Sequence, residues 1–236
     1  MLLSKHLLIP LSNALLASLC VLLGIYSFGQ PLFFDSISTI SFIVIAFIFR
    51  YDINIKTVCI LLLVENTLVN TAFLTLNNNL IYTAFAFTVP IVSLYFCRHD
   101  KLAIPIALLL VITLIAEVYW YKTDYPAPQI YFYFFKISLS LIVRQLLMYR
   151  PHGLNYYLNS GASILRLDWF VYKTIWVACV VECAMIIEFL VRHLLKIKAL
   201  YIYNSYEYIM HSLAVWVLWL VVREAIKIQR KASLQA

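Results

Sequence analysis

Apolar residues along this chain run in blocks of roughly twenty, broken by short polar punctuation. A helix needs about 20 residues to cross a hydrocarbon core of about 30 Å. By that measure the pattern predicts eight transmembrane helices, at about 7–28, 32–50, 57–76, 80–97, 102–121, 130–149, 170–195 and 203–223. Seven spans remain the alternative. The breaks FGQPLFFD, NNN and YKTDYPAPQ carry the Pro, Asn and Asp of turns. The first block follows Lys5 like a signal peptide, but Leu7–Phe28 exceeds an h-region and lacks a small-x-small cleavage site. It reads as the first span.

The expected fold is therefore an all-α integral membrane protein, a compact bundle of about eight helices. The whole chain, 1–236, reads as one polytopic membrane domain. Residues 1–150 form three helical hairpins, 151–169 a cytoplasmic loop or interfacial segment, 170–223 a final hairpin and 224–236 a basic tail. The boundaries echo one another: KHLLIPL resembles KLAIPI, and FRYD (Phe49–Asp52), CRHD (Cys97–Asp100) and YRPH (Tyr149–His152) recur at the ends of the even spans. Such echoes suggest repeated hairpins, although the need for basic residues at each inner boundary explains part of them.

Composition supports the membrane reading. The 236 residues are 64% hydrophobic and 12% charged, and their mean hydropathy is +0.90. Soluble domains average about half apolar and a quarter charged. The net charge of +7 fits basic flanks against an anionic inner leaflet, not nucleic acid, since no long basic tract occurs. Lys5, Arg50, Lys56, Arg98, Lys101, Arg150 and Arg166 fall on alternate loops. That alternation places the N-terminus in the cytoplasm, as expected in an inner (cytoplasmic) membrane. Arg192, Lys196 and Lys198 break the pattern, so the last two spans have no assigned orientation. The five cysteines lie in or beside apolar runs, which argues against a disulfide framework.

Candidate chemistry lies in the few polar groups inside the spans. Ionisable residues there are costly and mark functional sites by default. Lys136, Ser140 and Arg144 recur every four residues in span six, forming one stripe on a helix. At about 1.5 Å per residue, both cations lie within about 10 Å of an interface, where long stems can snorkel. Shorter carboxylates cannot. The candidate polar pathway comprises Glu65, Asn66, Asn70, Lys136, Ser140, Arg144, Glu182 and Glu188. Matching depths pair Arg144 with Glu65, and Lys136 with Glu188 or Glu117. Glu182, near the bilayer centre, is left without a basic group at its level. Glu188 and Arg192 are spaced to pair within one helix.

Catalytic and cofactor signatures are missing from the sequence: no HExxH, GxSxG, Walker loop or dinucleotide fingerprint occurs. His193 and His211 sit nearly equidistant from the turn at 198–203, which allows a facing pair, but the expectation is interfacial histidines and no cofactor or metal. The sequence thus leads to a transport or pore-forming component for a proton, cation or small polar solute, with an intramembrane enzyme acting on a lipid-linked substrate as the reading with least support. It is expected to be a homo-oligomer or to bind a membrane or soluble protein partner. The alternative is a non-catalytic membrane subunit or anchor that docks a soluble partner through basic cytoplasmic loops.

Overall fold

The computed structural model describes residues 2–75, 80–125, 130–198 and 200–235. Within them lie eight helices and no strand: α1 (Leu2–Ser27), α2 (Pro31–Ile48), α3 (Ile53–Thr75), α4 (Leu80–Phe96), α5 (Ala103–Lys122), α6 (Tyr131–Leu158), α7 (Arg166–Leu194) and α8 (Tyr201–Gln235). Five of them, α3, α5, α6, α7 and α8, are long and apolar enough to cross a membrane. Each expected block is helical. The last three helices are longer than their apolar blocks.

That extension changes the expected loop at 151–169. Residues 151–158 continue α6 through Pro151, and only 159–165 are non-helical before α7 begins. Asn155 fixes the turn: its amide donates to the Ala162 carbonyl at 2.8 Å and its Oδ1 accepts from the Ala162 N–H at 2.6 Å. Gly161, at φ 66°, takes the left-handed conformation that glycine adopts without a Cβ penalty.

The chain divides into two compact units. The first contains Met1–Leu63, Met148–Thr174 and Tyr208–Ala236. Here α1 packs on α2, which starts with a proline at its first turn, where a missing N–H costs no helical bond. Phe34, Ile55 and Val58 are buried in this unit. Gly24 on α1 faces α8 so closely that a Cβ there would lie 2.7 Å from Val215 Cγ2.

The second unit contains Val64–Leu147 and Ile175–Glu207. In it α4 packs on α5, and Ala72, Phe135 and Leu139 form a buried apolar cluster flanked by Val69, Val89 and Phe132. Helix α6 has the largest buried share of the five long helices, 56% of its most apolar stretch against 28% for α3 and α8. Its polar stripe therefore faces protein, and its charges need partners.

The echoed boundary motifs have a shared local role. Asp52 Oδ1 accepts the backbone N–H groups of Asn54 and Ile55 at the start of α3. Asp100 Oδ1 accepts that of Leu102 just before α5, at 3.0 Å. In each case an aspartate two residues after an arginine accepts backbone N–H groups at the approach to the next helix.

Candidate functional site

Within the second unit, α6 presents Lys136 and Ser140 one turn apart, and each meets a carboxylate from a different helix. Lys136 Nζ lies 3.2 Å from Glu182 Oε1 on α7 and donates to the Tyr206 hydroxyl on α8 at 3.2 Å. Its ammonium also lies 5.6 Å from the centroid of the Tyr206 ring, against which Tyr133 packs edge-on. Ser140 Oγ donates to Glu65 Oε1 on α3 at 2.9 Å. Glu65 in turn is within electrostatic reach of both Glu182 and Lys136. Four helices thus converge on one polar cluster.

The cluster sits among apolar side chains. Phe134, Ile137 and Leu141 of α6, and Cys179 and Ile186 of α7, are fully buried. Cys179 and Ile186 share the face of α7 that carries Glu182, by their three- and four-residue spacing. Glu182 is itself 0% exposed, and among the described residues neither of its oxygens receives a well-directed hydrogen bond. The contact with Lys136 is an ion pair without hydrogen-bond alignment. Glu65, by contrast, is only partly buried.

Several expected pairings are corrected by the structure. Glu182 is not left without a base: Lys136 is its partner. Lys136 therefore engages α7 at Glu182, not at Glu188 or through Glu117. Arg144 forms its ion pair with Asp100 of the α4–α5 turn, whereas Glu65 is held by Ser140. Counting depth by Cα position fails because a long stem carries its charge away from its own Cα, and because α6 and α7 extend past their apolar blocks.

Glu188 has a different role. Its two oxygens accept the backbone N–H groups of Ile202 at 2.7 Å and Tyr203 at 3.0 Å. A carboxylate there satisfies orphan donors and opposes the positive end of the helix dipole. Arg192, expected beside Glu188, lies over the Tyr203 ring at 5.7 Å. Asn66 and Asn70 follow Glu65 on α3 and are partly buried.

Asp100 carried no weight in the sequence reading, yet it joins three elements. One oxygen caps the approach to α5, and the other takes the Arg144 ion pair and a 3.0 Å hydrogen bond from Gln145 Nε2. The signal was present in the Arg-x-Asp spacing at two boundaries. In the first unit, Arg150 was equally overlooked. It donates to Asp168 Oδ2 at 2.7 Å, Thr57 Oγ1 at 2.9 Å, and the carbonyls of Asn54 and Ser163 at 3.2 Å each. Asp168 Oδ2 also accepts the Leu165 N–H at 2.7 Å, so this pair fixes the α6–α7 connection.

The two histidines have separate surroundings. His193 is packed by Trp120 and Phe189 and bonded through Nδ1 to the Tyr125 hydroxyl at 3.1 Å. His211 approaches the Gly24 carbonyl at 2.8 Å and packs edge-on to Phe34. Among the described residues no group of three or more His, Cys, Asp or Glu is placed to hold a metal ion. No protein-family model, curated protein or solved structure matches the chain.

Proposed function

We propose that this chain is a membrane-embedded transport or pore-forming component for a proton, cation or small polar solute. In this reading the eight helices form one polytopic bundle in an inner membrane, N-terminus in the cytoplasm, and assemble as oligomers. The observation that carries it is the cluster of Glu65, Ser140, Lys136, Glu182 and Tyr206 on α3, α6, α7 and α8. Holding helices together needs no more than one charge of each sign, as Arg150 with Asp168 illustrates. Here one carboxylate, Glu182, pairs with the ammonium, and a second, Glu65, is held by the neutral Ser140 hydroxyl. An uncompensated charge in an apolar interior is expensive, so the cluster is built to attract one further positive charge.

Reconstitution of the purified protein alone into liposomes tests the proposal. Flux of protons, of a monovalent cation or of a small polar solute is expected, and Glu182→Gln is expected to reduce it at least tenfold while the variant remains monodisperse. Liposomes that conduct none of these probes refute it. The second reading, a non-catalytic subunit or anchor, is favoured by the ion pairs at Arg144 and Arg150, which serve helix joining. It predicts no flux, together with retention of a soluble partner that is lost when Arg50, Lys56, Arg98 and Lys101 are neutralised.

A further inference from the structure

We propose that the cleft between α1 and α8 in the first unit binds an uncharged lipid alcohol, one hydroxyl on a long apolar body, and that the hydroxyl donates to Nδ1 of His211. The inference is separate from the transport reading and rests only on the chain being embedded in a membrane.

The cleft has a volume of about 730 Å³, within the roughly 300–1,000 Å³ of small-molecule sites. Ala17, Val21 and Gly24 line it from α1, and Tyr208, Trp216 and Trp219 from α8. The two indoles, 4.8 Å apart between centroids, form a flat aromatic wall. From Ala17 to Phe28 the cleft follows α1 for about 16 Å, at ~1.5 Å per residue. No acidic or basic side chain is among its described lining residues. One end lies beside the last turn of α1, where His211 meets Gly24 and the expected span reaches the interface. The rest points back along the helix into the apolar layer. That is the disposition of an amphiphile with a small head.

The end of α1 sets the chemistry of the head site. The Phe28 N–H turns to the Ile25 carbonyl, so the Gly24 carbonyl lacks the main-chain donor of a continuing helix. His211 Nε2 lies 2.8 Å from it. A carbonyl only accepts, so Nε2 carries the proton. Ser27 agrees: its hydroxyl gives its proton to the Leu23 carbonyl at 2.7 Å and offers Nε2 a lone pair at 3.4 Å. In the neutral imidazole the other nitrogen is then an acceptor, and among the described residues Nδ1 has no partner. Phe28 and Phe34 pack edge-on to the ring and hold its plane. Ser212, which also lines the cleft, gives its proton to the Tyr208 carbonyl at 2.7 Å and has only lone pairs left. The head must therefore donate. An ionised phosphate cannot, and the nearest cation on α8, Arg223 over the Trp219 ring, is about 18 Å along the axis from His211. Trp219 Nε1, a buried donor without a partner, is about 12 Å along and does not serve the same head.

Photolabelling of the full-length protein in phosphatidylcholine nanodiscs with a diazirine-tagged hexadecanol, mapped by mass spectrometry, tests the assignment. Saturable labelling confined to 17–28 and 208–219 is expected. Unlabelled hexadecanol should compete about five- to tenfold better than its methyl ether, the worth of one hydrogen bond. His211→Phe keeps an aromatic ring against Phe28 and Phe34 and removes the acceptor, so alcohol and ether should compete equally. Ala17→Phe fills the cleft from α1 without touching His211 and should abolish the labelling. Monodispersity checks both variants; if His211→Phe fails to fold, the alcohol–ether comparison and Ala17→Phe suffice. An ether that competes as well as the alcohol in the wild type overturns the proposal. So does labelling spread over all the helices, or the absence of label, which would leave the cleft to the phosphatidylcholine present in excess.

Discussion

Replacing Lys136 by methionine keeps a long apolar stem and deletes the ammonium, so Glu182 loses its ion-pair partner. The Glu182 side chain is fully buried and that of Lys136 is 21% exposed, so solvent screens the pair little. Breaking a buried pair by removing one partner costs about 3–5 kcal/mol, against about 1 kcal/mol or less for an exposed pair. At 1.4 kcal/mol per tenfold, the folding equilibrium should fall by about two to three and a half orders of magnitude. The double variant Lys136→Met/Glu182→Gln removes both charges and should recover all but about 1–2 kcal/mol, the signature of direct coupling. Reversible unfolding by sodium dodecyl sulfate in mixed micelles measures both. A single variant that loses under about 1 kcal/mol, or a double variant that loses the sum of both single losses, refutes the argument.

Three further outcomes follow from the geometry. Arg150→Met should cost about 3–5 kcal/mol by leaving Asp168 buried without its partner, and protease cleavage within 159–165 should accelerate, since Arg150 and Asp168 hold Ser163 and Leu165. Glu188→Ala should cost about 1–2 kcal/mol through loss of the cap on α8, read as faster amide hydrogen exchange at Ile202 and Tyr203 with little change at Glu182. Gly24→Ala should destabilise by about 1–3 kcal/mol, the usual range for overpacking, because its Cβ meets Val215 at 2.7 Å; Val215→Ala in the same chain should restore most of the loss in thermal unfolding.

The hydrophobic pattern alone predicted about eight helices, and eight lie among the described residues, each beginning within a few residues of its expected start. An apolar run of helical length needs no tertiary information, because its backbone satisfies its own hydrogen bonds. The sequence also picked out Glu65, Lys136, Ser140 and Glu182, because charges in apolar runs demand explanation. Only the tertiary structure decided which charge meets which. Lys136 chose Glu182, Arg144 chose Asp100 and Glu188 went to the start of α8. Pairing depends on helix rotation and on the reach of each stem, and neither is written in spacing along one helix. The same limit hid Asp100, Asp168 and Arg150. Each lies just outside an expected apolar span, where a charged residue reads as an ordinary boundary until the fold buries it against an opposite charge.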